Sequence, residues 1–117
     1  MKHTVSLKHN HEFRRLYQKG KSAVSPCLAV YCRKNRRQGN RLGITTGVKL
    51  GCAVRRNQVR RRIREIYRTN EDRLASGYDI VVVARVRSVH VRYRELEENF
   101  LRLARKLELL RPAEGQP

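Results

Sequence analysis

The sequence predicts an α+β sandwich, with helices packed against a four-stranded sheet in the order α-β-β-β-α-β-α. Three observations carry that expectation. CLAVYCRK (Cys27 to Lys34) and RLGITTGV (Arg41 to Val48) have the apolar, β-branched character of strands, and YDIVVVARV (Tyr78 to Val86) is the most continuous apolar run in the chain. Leu96, Phe100, Leu103, Leu107 and Leu110 recur at intervals of 4, 3, 4 and 3, the spacing of an amphipathic helix. Between the last two strand-like runs lies GCAVRRNQVRRRIREIYR, Gly51 to Arg68, whose apolar residues also fall at helical spacing.

Taken in order, Asn10 is a candidate cap for a first helix in which Phe13, Leu16 and Tyr17 fall at i, i+3 and i+4, with Gly20 as its stop. Residues 22 to 26 suit a brief strand. In the next strand Leu28, Val30 and Cys32 share one face, and Ala29 and Tyr31 the other. NRRQGN, Asn35 to Asn40, is a polar turn, and the flanking runs together suggest an antiparallel meander. The arginine-rich stretch follows as a helix of about four turns. The run from Tyr78 suits a strand inside the sheet, covered on at least one face. A last helix starts near Arg92 and ends before Pro112. Its spacing also fits a coiled-coil seam, but barely three heptads and a sheet in need of cover favour core packing. A chain of 117 residues is one ordinary domain, so residues 1–117 are expected to form a single unit, with 1–6 and 112–117 as flexible tails. There is no internal repeat, low-complexity block or long linker.

Charge narrows the function. Twenty-eight Lys and Arg stand against ten Asp and Glu, for a net charge of +18, and the isoelectric point is near 11.2. That is the footprint of a nucleic-acid binder, because each phosphate contact releases a condensed counterion. Arginine outnumbers lysine 21 to 7; guanidinium forks onto phosphate and stacks on bases, which favours specific docking. No apolar run of about 18 residues, signal-peptide core or lipidation motif points to a membrane, so a soluble cytoplasmic protein is expected. Cys27, Cys32 and Cys52 form no C-x-x-C pair and have no histidine at zinc spacing, so they read as reduced, partly buried thiols. His3, His9, His11 and His90 are scattered without a partner suited to ligation or catalysis.

The arginine helix has two sides. At about 100° per residue, with Val59 as zero, Val59, Ile63, Ile66 and Tyr67 fall at about 0°, 40°, 340° and 80° and make a buried stripe. Asn57, Arg60, Arg61, Arg64 and Arg68 fall between about 100° and 200°. Glu65 alone is placed to answer that charge, toward Arg61, whereas a merely solvated helix interleaves acids along its face. The pattern fits RNA and DNA equally. Gly43, Gly47 and Gly51 precede the helix at a spacing of four, but GITTGVKLG lacks the GK[ST] ending of a P-loop. Phe13, Tyr17 and Tyr31 offer a separate platform on which bases of a single strand can stack, with core packing as the plainer reading.

EFRRLYQKGKS near the N-terminus, RLGITTGVKLGCAVRRNQVRRRIREIYR in the middle and GYDIVVVAR after it resemble the protein subunit of bacterial ribonuclease P, in the right order and spacing over residues 7 to about 110. The family's central motif runs R-N-R-x-K-R-x-x-R-E. Arg56 and Asn57 match its first two positions, Arg60 stands for the lysine, and Arg61, Arg64 and Glu65 match outright. Gln58 departs from it, replacing the second arginine, and Arg62 nearby is a candidate to make up the charge.

The resemblance implies a ribosomal protein S5 domain 2-like fold with a left-handed β-α-β crossover, where the general rule is right-handed. It implies a subunit that binds a catalytic RNA through Arg56, Asn57, Gln58, Arg60, Arg61, Arg64 and Arg68. It also implies a cleft for the single-stranded 5′ leader of precursor tRNA at Phe13, Tyr17, Tyr31 and Lys49. Catalysis then belongs to the RNA, with magnesium held mainly by RNA, no protein-bound cofactor and no obligate protein partner. The ten acids show no clustering suited to a two-metal nuclease, in keeping with that division. The alternative class is a ribosomal or other structural RNA-binding protein with no part in cleavage. A DNA-binding regulator fits less well, since no short helix and tight turn precede the arginine helix.

Overall fold

Alternation along the strands gives the sheet two apolar faces, and each is covered by helix. The computed structural model describes residues 3–111. Its elements are β1 (Thr4–Ser6), α1 (Asn10–Lys19), β2 (Lys21–Val24), β3 (Leu28–Lys34), β4 (Asn40–Thr46), α2 (Ala53–Asn70), β5 (Tyr78–Ala84) and α3 (Tyr93–Lys106). Leu28, Val30 and Cys32 of β3, Leu42 of β4, and Ile80, Val82 and Ala84 of β5 point to the larger core. There they meet Val59, Ile63, Ile66 and Tyr67 of α2 and Leu96, Phe100 and Leu103 of α3. On the opposite face Leu7, Leu16 and Val81 form a smaller core with Phe13, Tyr31 and Val83. With both faces covered, β5 has no need of polar positions, which is why it reads as an unbroken apolar run.

The sheet differs from expectation in two ways. It has five strands in the order β1-β4-β5-β3-β2, not four. Residues 4–6, expected within a tail, make β1, which pairs parallel with β4 from Thr4 opposite Asn40 to Ser6 opposite Leu42. A three-residue strand is too short to show a period, and its attachment is polar. The Thr4 hydroxyl donates to Glu71 Oε2 at 2.6 Å and bonds the Tyr67 hydroxyl at 2.8 Å. Residues 1, 2 and 112–117, the rest of the expected tails, lie outside the described residues.

The second difference is topological. Only the β2–β3 hairpin keeps the expected antiparallel meander. β5 sits between β3 and β4, antiparallel to the first and parallel to the second. The long α2 crossover lets the chain return alongside β4 in the same direction, a pairing that a tight turn cannot make.

Helix ends also differ slightly from expectation. His9, not Asn10, is the N-terminal cap of α1, and its side chain makes no capping bond. Gly20 does end the helix, in extended conformation, and the site requires glycine because a Cβ there would lie 2.6 Å from Leu16 O and 2.9 Å from Cys32 O. α3 stops at Lys106, before the last two apolar positions of its heptad pattern, Leu107 and Leu110. Glu108 takes a left-handed conformation (φ 59), and its N–H bonds Arg105 O while that of Leu109 bonds Ala104 O. These two bonds are the Schellman closure, with glutamate where glycine is usual. The reversal buries Leu109 completely and sets Leu110 in a bridge to Leu74.

Candidate nucleic-acid interface

The stripe Val59, Ile63, Ile66 and Tyr67 is buried to within 2% of completely, as the wheel requires. The other side of α2 is thereby turned outward, with Asn57, Gln58, Arg61, Arg64 and Arg68 exposed. Tyr67 fixes the helix by more than apolar contact. Its hydroxyl accepts from Asn40 Nδ2 at 3.1 Å and bonds Thr4, while Asn40 Nδ2 also donates to Ala75 O at 2.9 Å. Burial pushes the phenol above its ordinary value of 10 despite those bonds.

The arginines of the motif divide into four sets by their partners. Arg61 and Arg64 stand free in solvent on the outward face. Arg60 is half-buried, and its guanidinium donates to Ile44 O at 3.1 Å and Thr46 Oγ1 at 2.9 Å; Arg56 Nε reaches Thr46 O at 3.3 Å. These two knit α2 to the end of β4 while leaving donors outward, since a guanidinium has five. Arg68 is engaged bidentately by Glu65, at 3.0 and 2.5 Å. Glu65 was expected to face Arg61 and instead takes the residue three ahead; Arg68 accordingly holds the Glu65 carboxyl below its ordinary value. Arg62, the candidate substitute for the charge absent at Gln58, lies one turn further along the same flank. Its Nη1 donates to Val91 O at 3.1 Å, which binds α2 to the segment preceding α3.

On the opposite face of the sheet, α1 and the strands frame an aromatic groove of about 400 Å³ lined by Asn10, Phe13, Arg14, Tyr17 and Thr45. Tyr17 is 40% exposed. Its ring stands edge-on to that of Tyr31 with centroids 4.8 Å apart, and its hydroxyl lies 3.5 Å from Thr45 Oγ1. Phe13 and Tyr31 are half-buried. Phe13 lies over Gly43, where a Cβ would come within 2.5 Å of the ring. The three predicted aromatics are therefore brought together. Lys49 is exposed on the 3-10 turn Val48–Leu50 beyond the end of β4, and it is not among the groove-lining residues. Sequence reasoning missed Asn10, Arg14 and Thr45; the alternation of Arg41, Gly43 and Thr45 on one face of β4 was the available signal.

The floor beside this groove is held by charge. Arg41 of β4 pairs with Glu12 of α1 and, bidentately, with Asp79 of β5 at 2.8 and 2.6 Å. Asn35 Nδ2 adds a bond to Asp79 at 3.0 Å. Burial alone would raise the Asp79 carboxyl, but the bonds from Arg41 and Asn35 outweigh it and hold it below its ordinary 3.8. The same pairing holds the Arg41 guanidinium, chiefly through Asp79, more firmly protonated than usual.

Among the described residues no group of three or more His, Cys, Asp and Glu side chains is gathered as metal ligands would be. Nor is any described helix long and apolar enough to cross a membrane.

Comparison with known proteins gives one answer at every level. Residues 1–108 match the family model described as Ribonuclease P. The chain is 36% identical over 110 residues to the ribonuclease P protein component of Natranaerobius thermophilus, covering 94% of this chain and 96% of that one. It is 41% identical over 101 residues to that of Clostridium botulinum strain Loch Maree, covering 86% and 91%. Among solved structures, the Staphylococcus aureus RNase P protein superposes with a TM-score of 0.83 at 29% identity, covering 91% of this chain and 97% of that one. The RNase P protein from Thermotoga maritima does so at 0.78 and 34%, covering 86% and 96%. With the arginine helix, the aromatic groove and the sheet between them all in place, the chain belongs to the ribonuclease P protein family.

Proposed function

We propose that this protein is the accessory subunit of a ribonuclease P ribonucleoprotein, which removes the 5′ leader from precursor tRNA in the cytoplasm. The outward face of α2 docks on the catalytic RNA through Arg56, Asn57, Arg60, Arg61, Arg64 and Arg68, with Gln58 as a neutral contact. The aromatic groove holds the single-stranded leader, with Tyr17 and Phe13 as stacking surfaces, Tyr31 as the support behind Tyr17, and Lys49 as a flanking cation. Cleavage chemistry belongs to the RNA, which also holds the magnesium.

The observation that carries this reading is the presence of two unlike surfaces on opposite sides of one sheet. A structural RNA-binding protein needs the arginine face, but it has no use for an exposed aromatic groove. Purified protein added to bacterial ribonuclease P RNA is expected to accelerate leader removal at low magnesium; no gain in rate or precursor affinity would sink the proposal. Tyr17→Ala is expected to weaken precursor binding by about 1–3 kcal/mol, one stacking contact, with mature tRNA affinity unchanged. Equal losses on both RNAs would mean that the ring serves the fold alone.

A further inference from the structure

On the other flank of α1, a second hollow of about 370 Å³ opens between the helix, the end of β3 and the turn that follows it. Its cations come from three elements: Arg15 from α1, Arg33 and Lys34 from β3, and Arg36 from the turn. All four are exposed. Its two acids, Glu12 and Asp79, are both engaged by Arg41 at its base. The hollow is therefore a concave site whose four exposed cations outnumber the one negative charge left at a floor where two carboxylates share Arg41.

Two features of the backbone set where these cations start. Arg36 sits in the left-handed region at φ 61, a conformation that a residue with a β-carbon adopts only under constraint. The turn is locked there by Asn35, whose Oδ1 accepts the Arg37 N–H at 2.7 Å and whose Nδ2 donates to Gly39 O and Asp79. Arg33, for its part, follows Tyr31 on the same face of β3, about 7 Å along at roughly 3.3 Å per residue. A neighbouring smaller hollow shares Arg33 and Lys34 and adds Lys19 and Lys21, with Glu108 at its edge.

We propose that Arg15, Arg33, Lys34 and Arg36 form a phosphate-binding site for the leader upstream of the bases at the aromatic groove. This rests on the subunit reading above. Charge complementarity selects an RNA backbone, and Arg33 lies two residues beyond Tyr31 on the same face of β3, so the rings and the hollow flank α1 on one strand. Among the described residues the aromatic groove is lined by one cation, Arg14, and the hollow by five, of which Arg41 alone is paired with acids. The groove suits bases, and the hollow suits the phosphates that follow them. Longer leaders then gain affinity without any sequence preference.

The experiment uses the reconstituted holoenzyme and two precursors, one with a leader just long enough to reach the aromatic groove and one several nucleotides longer. The double variant R33Q/K34Q and the single variant R36G are compared with wild type, and thermal unfolding is measured for each. R36G relieves the left-handed backbone, so its Tm is expected to hold or rise while its affinity for the long leader falls. For R33Q/K34Q the dependence of log affinity on log salt should become shallower by about 0.7 for each phosphate no longer neutralised, on the long leader alone. Equal losses on both precursors, a loss confined to assembly with the catalytic RNA, or no loss at all would each overturn the site. A wild-type protein that fails to bind either precursor would sink the subunit reading, and the site with it.

Discussion

At Gly43 the lack of a β-carbon leaves room for the Phe13 ring, which otherwise would meet it at 2.5 and 2.6 Å. Those atoms are the far end of the ring, so an alanine there can be accommodated only by tilting Phe13 away from the sheet. Gly43→Ala is expected to cost about 1–3 kcal/mol, the range for overpacking a filled site, and to weaken precursor binding more than mature tRNA binding. Denaturant unfolding and paired affinity measurements check this; unchanged values for both would show that Phe13 is not seated as described. The sequence showed this glycine only as part of a loose spacing with Gly47 and Gly51, and the true reason for it lies across the sheet on α1. Glu65 makes the same point. Its spacing pointed to Arg61, and only the packed helix shows Arg68 as its partner.

For single elements the sequence was far more informative. The buried stripe of α2 was legible because one turn of a helix is fixed by backbone hydrogen bonding, whatever surrounds it. The outward face was legible by the same rule. What the wheel could not show is that arginines on one face do different work, because their partners come from other elements. Arg60 ties α2 to β4 through Ile44 O and Thr46 Oγ1, whereas Arg61 touches solvent. Arg61→Ala is therefore expected to weaken assembly with the catalytic RNA and flatten its salt dependence, with Tm unmoved. Arg60→Ala should lose RNA affinity and also about 1.5–3 kcal/mol of stability, the range for hydrogen bonds made by a charged group. If the two variants lose the same stability, the joint to β4 carries no weight. β1 and the placement of β5 were illegible for a related reason: a three-residue strand has no period, and strand order depends on the crossover.

In the whole molecule, one sheet separates the arginine face of α2 from the aromatic groove, and neighbouring residues of β4 serve the two sides. Thr45 faces the aromatic groove, and Thr46, the next residue, accepts from Arg60 on the other side. With +18 charges the chain repels itself, so the few acids that are paired inside matter more than their number suggests. Asp79 is the central one, joining β5 to Arg41 of β4 and Asn35 of the turn, with Glu12 of α1 on the same guanidinium. Its folded pKa is depressed below 3.8. A depressed carboxyl contributes stability that is fully present above the unfolded value and is lost as pH falls through the folded one. Stability from this joint is thus expected to hold from neutrality down to about pH 4 and to fall below it. Asp79→Asn removes it at every pH and leaves Arg41 with Glu12 alone, at a cost of about 2–3 kcal/mol near neutrality, the range for bonds to a mostly buried charge. Urea unfolding of wild type and D79N across the acid range separates this joint from general charge repulsion, which both proteins share. The gap between them should close as pH drops beneath about 4. A gap that stays constant would assign the stability of this corner to packing and not to the ion pair.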